Sequence, residues 1–332
     1  MERAARPGEA TIGELGESAV LARILPRLSP GDAALLGAGD DAAVVAAADG
    51  RFVVTTDLLV HGPDFRLAWS TPFELGWKAA ATNLTDVAAM GARPTALVVA
   101  IAAPPATPVS VLEDVAEGMR EGLAALAPGA GVVGGDLSAS TVLTIAVTAF
   151  GDLEGRAPIL RSGARVGDVV AHAGARGDAA RGLALLFGEG VDAAGEPDAV
   201  RAAEVRARHP ELVRAQLAPA PPVSAGVAAA IAGATSMLDV SDGLARDARR
   251  VAEASGVSLD FDGAALGPDL RVALAGAEDH GLLATFPAGV ELPAPFEPIG
   301  RVVAGDGEVL VDGRVVGAEG WDPYSGWDGR AG

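Results

Sequence analysis

Seven aspartates are the residues of this chain best suited to chemistry, because they lie in five short segments rich in glycine, serine or threonine. Each segment follows an apolar run or lies in an alanine-rich stretch, so a fold could gather the carboxylates around divalent cations without burying uncompensated charge. Oxygen atoms are the ligands that Mg²⁺ prefers. The pattern therefore indicates Mg²⁺-dependent phosphate chemistry. The segments are Gly39-Asp40-Asp41, Thr55-Thr56-Asp57, Asn83-Leu84-Thr85-Asp86, Gly134-Gly135-Asp136 and Asp239-Val240-Ser241-Asp242-Gly243.

Each aspartate motif also has an ordinary structural interpretation. Glycine beside aspartate is common in turns, and Asp242 could cap the N-terminus of a helix. Asp86 could be a solvated helical residue, with Asn83 on an adjoining face of the same helix. The joint occurrence of the motifs at the ends of apolar segments favours a common site, because open α/β folds bind ligands at strand ends.

The composition limits the class of protein and its partners. A chain of 332 residues with 50% hydrophobic residues can bury a large core, and its length favours two domains. The net charge of −19 and the absence of a lysine or arginine block disfavour nucleic acid and an anionic membrane as partners. An anionic substrate would therefore need metal ions beside it.

The residue inventory excludes several enzyme classes. Lys78, the single lysine, lacks the glycine spacing and the following serine or threonine of a P-loop kinase. The chain has no cysteine, which removes disulfides, thiolate metal sites and cysteine nucleophiles, and its four histidines lack the paired spacing of a zinc hydrolase. Neither a signal-like segment nor a membrane-spanning apolar stretch is present, so we expect a cytoplasmic protein.

Apolar runs bounded by glycine, proline or aspartate predict strands at 53–56, 96–102, 132–133 and 142–150. Thr71, Pro72 and Glu74 form a capping-box signature that predicts a helix from there to about residue 90, ended by Gly91. A similar signal at Ser110 predicts a second helix, with an apolar stripe. Beyond a predicted domain boundary near residue 155, we expect strands at 169–171 and 237–240, helices at 178–187 and 244–254, and a hairpin at 309–316.

Taken in order along the chain, the motifs resemble those of the thiamine-monophosphate kinase family, in the aminoimidazole ribonucleotide synthetase-like superfamily. The resemblance runs almost from end to end. Single motifs are common in unrelated proteins, but their order is specific. Besides the aspartate segments, it rests on Gly13-Glu14-Leu15, Arg161-Ser162-Gly163-Ala164, Gly177-Asp178-Ala179-Ala180 and Glu278-Asp279-His280.

The resemblance implies transfer of the γ-phosphoryl group of ATP, as co-substrate, to thiamine monophosphate, with several Mg²⁺ ions and no covalent nucleophile. Such a reaction needs positioning and charge neutralisation more than a strong base. By analogy, ATP would contact Gly134, Gly135, Asp136, Arg161 and Ser241. The thiamine end would contact Asp64, Glu278 and Trp321. The metal ligands would be Asp41, Thr55, Thr56, Asp57, Asp86, Asp136, Asp239 and Asp242.

The family fold implied by the resemblance is α/β (α+β), with two domains and an aminoimidazole ribonucleotide synthetase-like architecture. Residues 1–155 would form a mixed sheet with helices that binds metal and ATP and dimerises. Residues 156–332 would form a C-terminal α/β domain that completes the substrate site. A homodimer is therefore expected, and the domain division agrees with the boundary near residue 155 read from composition.

Two positions depart from the family pattern. Asp64 stands where the family has a histidine near the substrate, and an extra negative charge there would weaken phosphate binding unless Mg²⁺ or an arginine compensates. Ala277 stands where the family has a glycine, and the added methyl group is minor only if its backbone φ is negative. The terminal Gly320-Trp321-Asp322-Pro323-Tyr324 is a variant of the family ending.

Two other functions stay open at this point. One is an ATP-dependent enzyme of the aminoimidazole ribonucleotide synthetase type; the thiamine branch is preferred because of the motif at Arg161 and the terminal segment. The other is a weakened paralogue that binds nucleotide in a regulatory role, which Asp64 and Ala277 favour. All seven aspartates are retained, which argues against a protein that only binds nucleotide.

Overall fold

A computed structural model describes residues 10–38, 42–317 and 320–321. The helices are α1 (Ile12–Leu15), α2 (Glu17–Ile24), α3 (Pro72–Ala89), α4 (Val109–Leu126), α5 (Asp178–Glu189), α6 (Ala199–Arg208), α7 (Pro210–Leu217), α8 (Val223–Ala232), α9 (Leu244–Ser255), α10 (Gly263–Leu266) and α11 (Leu270–Ala275). The strands are β1 (Ala34–Leu36), β2 (Val44–Val45), β3 (Val53–Val60), β4 (Arg93–Ala103), β5 (Gly131–Ala139), β6 (Thr144–Asp152), β7 (Val169–Ala173), β8 (Ser236–Val240), β9 (Ser258–Phe261), β10 (Gly281–Phe286), β11 (Glu297–Val303), β12 (Val309–Val311) and β13 (Arg314–Val315).

The first half is built on a mixed four-stranded sheet of order β3-β6-β4-β5. β6 pairs antiparallel with both β3 and β4, whereas β4 and β5 are parallel. Helices α3 and α4 cover one face of the sheet. The other face is open: Val54 and Leu58 of β3 are 53% and 55% exposed. Side chains alternate along a strand, so neighbours in sequence on β3 and β5 point to opposite faces.

The second half is built on a seven-stranded sheet of order β13-β12-β9-β11-β7-β10-β8. Strand β8 lies at one edge, where it pairs antiparallel with β10. Helix α9 follows β8 and packs against both β8 and β9. The C-terminal end of β8 and the start of β10 therefore lie next to each other, which places Asp239 close to the segment that precedes Gly281.

Helix α3 is shared by the two halves, and it is buried on nearly all sides. It contacts α4 and strands β3, β4 and β6 in the first half, and α7, α8, β8 and β10 in the second. The close approach of α4 and α8 to α3 requires glycine. A Cβ at Gly118 of α4 would lie 1.9 Å from a carbonyl oxygen of α3, and a Cβ at Gly226 of α8 would lie 2.1 Å from another. One hydrophobic cluster extends from Leu84 and Val147 to Met237 and Phe286. The helix that carries Asp86 is thus held rigidly between two sheets.

The structure confirms most of the predicted elements, with longer strands in the first half. Thr71 and Glu74 form the predicted capping box at the start of α3. Asp312 and Gly313, both with positive φ, turn the predicted hairpin between β12 and β13. The prediction that Ser110 caps α4 is wrong: the helix begins at Val109, without a side-chain cap. The backbone N–H of Val109 instead donates to the carbonyl of Ala10 at 3.0 Å.

A search of the helices in the described ranges found none with both the length and the apolar character needed to cross a bilayer.

Candidate functional site

An acidic cluster forms where α3, β3 and β8 meet, and it contains three predicted metal ligands: Asp57, Asp86 and Asp239. Thr55, on the face of β3 that α3 covers, donates a hydrogen bond from Oγ1 to Asp86 Oδ2 at 2.8 Å. Loss of hydration raises the pKa of Asp57, with a further contribution from the charge on Asp239. Burial raises the pKa of Asp86 to about 7, and repulsion from Asp239 and Asp57 adds to this effect. The structure therefore brings these carboxylates within electrostatic reach of one another.

Carboxylates that repel each other in this way fit a divalent cation, because a cation relieves the repulsion that raises their pKa values. Within the described ranges, no group of three histidine, aspartate or glutamate side chains is close enough to hold one ion. Mg²⁺ in phosphate-handling sites is usually held by one or two carboxylates, with waters and phosphate oxygens as the other ligands. The cluster suits that mode better than an all-protein cage.

His280 joins the cluster, although its sequence position gave it no separate role. Its Nδ1 lies 3.8 Å from Asp239 Oδ2, and the ring is buried. Burial alone would lower the pKa of His280, but the charges on Asp239 and Glu278 outweigh it and raise the pKa. The signal that could have identified this residue is its place directly after Glu278 and Asp279.

The segment from Glu278 to His280 has an unusual backbone, because Glu278 has a φ of 74° and His280 a φ of 52°. Asp279 holds the segment in place by accepting hydrogen bonds from Gly177 N and, at 2.8 Å, from Ala179 N at the start of α5. Backbone strain of this kind is often found at ligand sites. Ala277 is not among the residues with positive φ, so its methyl group adds no backbone strain.

A cavity of about 230 Å³ adjoins the cluster and contains all three residues predicted for the thiamine end. Asp64, Glu278 and Trp321 line it. Its walls are largely apolar and aromatic, and the guanidinium group of Arg66 lies 4.7 Å from the ring centre of Trp69 and 4.5 Å from that of Phe187. Such walls suit a flat organic molecule, although Arg66 already lies over these two rings. Sequence reasoning missed Trp69 and Phe187 because they come from distant segments.

The extra charge at Asp64 is partly compensated. Its Oδ2 accepts a hydrogen bond from Val60 N at 2.7 Å. Burial raises the pKa of Asp64 and repulsion from Glu278 adds to this, while the bond from Val60 and the charge of Lys78 oppose it. Lys78 forms an ion pair with Glu278 in the same cavity.

Asp136 and Thr56 lie on the other face of the first sheet. The register runs from Asp57 through Val147 and Val99 to Gly135, so Asp136 points away from the face that carries Asp57. The two aspartates also lie on opposite edge strands, about 14 Å apart for three strand spacings. Thr56 donates its hydroxyl hydrogen to Val147 O at 2.9 Å. One copy of the chain therefore does not bring Asp136 to the acidic cluster.

Gly134 and Gly135 have different environments. A Cβ at Gly135 would lie 1.9 Å from Val99 O, so glycine is required there by the packing of β4 against β5. A Cβ at Gly134 would meet no atom within 4 Å. The backbone at Gly134 is therefore open to a ligand, in a second cavity of about 590 Å³ that is also lined by Asp136 and by Ala38 and Ala42. Asp41 itself lies outside the described residues, as do Asp322, Pro323 and Tyr324.

Asp242 follows β8 and shares the guanidinium group of Arg250 with Asp247. Arg250 NH2 lies 2.6 Å from Asp242 Oδ2, and Arg250 NH1 lies 2.6 Å from Asp247 Oδ1. Asp247 Oδ2 also accepts a hydrogen bond from Asp242 N at 3.0 Å. Arg250 engages Oδ2 of Asp242, so a cation there would share this carboxylate with the arginine, and Asp242 as a metal ligand stays a prediction.

The two remaining predicted ATP contacts lie at opposite ends of β8. Ser241 follows the strand, and its carbonyl accepts a hydrogen bond from Glu278 N at 2.9 Å, which ties it to the acidic cluster. Arg161 is exposed near the start of the strand, where its carbonyl accepts from Ser255 Oγ at 3.2 Å. Of the two, only Ser241 lies beside the cluster in one copy of the chain.

We expect the Mg²⁺ affinity of the protein to fall by about fivefold from pH 7 to pH 6 and by about tenfold for each further pH unit, because one proton must leave Asp86 for each ion bound there. The pKa of Asp86 is raised to about 7. In the metal-free protein, protonated Asp86 therefore contributes to folding stability at low pH, and this contribution is lost as the pH rises through 7. Mg²⁺ binds the deprotonated form of Asp86. Calorimetric titration with Mg²⁺ at pH 6, 7 and 8 measures the effect. The Asp86→Asn variant should lose this pH dependence, and equal wild-type affinity at the three pH values would contradict the prediction.

Comparisons with known proteins agree with this geometry. Residues 39–153 match the family model of the AIR synthase related protein, N-terminal domain. The chain is 46% identical to a thiamine-monophosphate kinase of Mycobacterium tuberculosis over 332 residues, covering 96% of this chain and 92% of that protein. It is 40% identical to the Corynebacterium glutamicum thiamine-monophosphate kinase, covering 91% and 90%. A solved structure of AaThiL complexed with AMPPCP and TMP superposes with a TM-score of 0.70 at 31% identity, covering 95% of this chain and 99% of that one.

Proposed function

The chain belongs to the thiamine-monophosphate kinase family, and we propose that it transfers the γ-phosphoryl group of ATP directly to thiamine monophosphate, giving thiamine diphosphate and ADP. The observation that carries the proposal is the position of the acidic cluster next to the cavity for the thiamine end. The segment from Glu278 to His280 joins the two. A phosphate attached to a molecule in the cavity would therefore reach the carboxylates.

The residues of the cluster would hold Mg²⁺ through Asp57, Asp86 and Asp239, with Thr55 fixing the orientation of Asp86. Bound Mg²⁺ supplies neutralisation of the phosphate charges and a template for in-line transfer. At the end of β8, the carboxylate of Asp239 and the protonated imidazole of His280 attract each other, which keeps both side chains in position. Glu278 and the largely apolar walls of the cavity bind and orient the cationic organic part, which keeps the acceptor phosphate directed at the cluster. No covalent intermediate on the protein is required.

A homodimer would supply the missing part of the site. Asp136 and Thr56 lie on the open face, and β3 and β5 are the edge strands of the sheet. If β3 of one copy lay beside β5 of a second copy, Asp136 of the partner subunit would lie on the same face as Thr56, one residue along β3 from Asp57. Two four-stranded sheets would then close into a barrel of eight strands, whose interior side chains would bury Val54 and Leu58. The exposed apolar residues of the open face support this arrangement.

The test of the proposed function is direct. Purified protein is incubated with ATP, Mg²⁺ and thiamine monophosphate, and thiamine diphosphate and ADP are measured. Equal amounts of the two products are expected, with no phosphoprotein. ATP binding without turnover would instead favour the nucleotide-binding paralogue, and activity with a formylglycinamidine ribonucleotide would favour the aminoimidazole ribonucleotide synthetase type.

Gly134→Ala is expected to raise the KM for ATP by about tenfold without lowering the melting temperature, because a methyl group there meets only a bound phosphate. Gly135→Ala is the matched control, and it should lower the melting temperature because its methyl group meets the carbonyl of Val99. Steady-state kinetics and thermal denaturation of both variants check the prediction. An unchanged KM in Gly134→Ala would remove this backbone from the ATP site.

The other assignments stay predictions. Trp321 lines the cavity for the thiamine end, which supports a contact with substrate. Ser241 lies beside the acidic cluster, which supports a contact with ATP. Arg161 lies near the opposite end of β8 from Ser241, so it could contact ATP only from that end of the strand. Asp41 as a metal ligand and a cytoplasmic location stay predictions.

A further inference from the structure

The single lysine of the chain lies inside the cavity for the thiamine end, and no role follows for it from the acidic cluster. Lys78 is 4% exposed, although it lines the cavity. It belongs to α3, eight residues before Asp86, so about 12 Å of helix separates the two residues and their side chains leave the helix about 80° apart. Helix α3 thus presents a cation to the cavity and a carboxylate to the acidic cluster.

The ammonium group of Lys78 is held by partners from the second half of the chain. It forms an ion pair with Glu278. Gln216, with its amide turned so that nitrogen donates to Ala179 O at 3.1 Å, accepts from Lys78 Nζ at 3.3 Å. An ammonium group has three N–H donors. Among the described residues, Glu278 and Gln216 accept from two of these N–H donors. The third donor is left for a ligand in the cavity.

The charges around Lys78 match a substrate with both signs. Asp64, Glu278 and His280 are the titratable groups whose charges act on it from the neighbouring segments. Thiamine monophosphate has a cationic thiazolium ring in its middle, with an aminopyrimidine ring on one side and an anionic phosphate on a two-carbon arm on the other. Glu278 and Asp64 suit the cation, and Lys78 supplies a positive charge in the same cavity, which Arg66 also lines. A phosphate that approaches the acidic cluster must pass carboxylates, so a fixed positive charge on the way has a physical function.

We propose that Lys78 donates a hydrogen bond to the phosphate of thiamine monophosphate, with Glu278 and Gln216 fixing its ammonium group, and that it selects the phosphorylated substrate over free thiamine. The inference rests on the proposed function. It adds a residue that recognises the acceptor phosphate through the protein itself and not through Mg²⁺.

The test compares the binding of thiamine and thiamine monophosphate to the full-length protein in the absence of ATP. A charge-assisted hydrogen bond contributes about 10- to 100-fold in affinity. Lys78→Met should therefore weaken thiamine monophosphate binding by about 10- to 100-fold and change thiamine binding by less than about threefold. Lys78→Arg, which keeps the charge, should recover part of the loss. Glu278→Gln is the comparison variant: it removes the partner of Lys78 and a contact with the part that both ligands share, so it should weaken both ligands while Lys78 still favours thiamine monophosphate.

An equal loss of both ligands in Lys78→Met would overturn the proposal, since Lys78 would then only position Glu278. Unchanged binding of thiamine monophosphate would overturn it too. Removing Lys78 leaves Glu278 buried without its partner, so the double variant Lys78→Met with Glu278→Gln is measured as well. The proposal requires that the ratio of thiamine monophosphate affinity to thiamine affinity be smaller in this double variant than in Glu278→Gln. Absence of turnover in the wild-type protein would instead contradict the proposed function, because the binding comparison does not require ATP.

Discussion

Asp86→Asn is expected to abolish the formation of thiamine diphosphate, with a loss of at least about a thousandfold in kcat/KM, because the variant removes a charged ligand from the metal that neutralises the transferred phosphate. The fold should persist. The amide oxygen of asparagine can still accept the hydrogen bond from Thr55, and the substitution removes a carboxylate whose raised pKa reports an unfavourable charge in the metal-free protein. Product formation and thermal denaturation at pH 8 measure the two effects.

The matched control is Asp114→Asn, an exposed aspartate on α4, which should keep normal activity. Full activity in Asp86→Asn would remove this residue from the metal site. Loss of activity with a lower melting temperature at pH 8 would contradict the structural part of the prediction, since the side chain would then stabilise the fold itself.

Mixing two inactive variants, Asp57→Asn and Asp136→Asn, should restore activity. If each site combines Asp57 of one subunit with Asp136 of the other, a heterodimer of the two variants has one intact site and one site with both substitutions. The heterodimer purified through both tags therefore has about half of the wild-type number of sites, whereas the unpurified, randomly paired mixture has about a quarter. Co-expression of the variants with two different tags, followed by purification through both tags and an activity assay, measures the recovery.

The control for this experiment is the pair Asp57→Asn with Asp86→Asn. Both residues lie in the acidic cluster of one copy, so their heterodimer has no intact site and should stay inactive. A purified Asp57→Asn and Asp136→Asn heterodimer without activity would show that the site is not shared between subunits. Activity in the control pair would also contradict the arrangement.

Local sequence signals were sufficient where local interactions decide the structure. The capping box at Thr71 and Glu74 depends on residues three apart, and it forms as predicted. The start of α4 does not follow its local signal, because Val109 N bonds to Ala10, a distant residue. Strand β5 extends through Gly134, Gly135 and Asp136, which were interpreted as its end. There the neighbouring strand β4 determines the length of β5 by pairing with it throughout.

The site was predictable in its chemistry more than in its arrangement. The helical spacing of Asp86 indicated a carboxylate that faces either solvent or a site, and the fold places it beside Asp57 and Asp239. The face to which Asp136 points depends on strand register, which a single sequence does not specify. Lys78 became recognisable only when the fold brought it to Glu278, and the coupling of His280 to Asp239 likewise depends on distance in space.

The position of α3 between the two sheets limits how substrates can enter. Its apolar surface belongs to a single continuous interior, so swinging the halves apart as two lobes would expose much of that interior to water. A protease nick in the connection between Asp152 and Val169 would therefore leave fragments that stay associated. Substrates would then have to reach the cavity through rearrangement of surface segments, while α3 and the side chains that it carries stay in place.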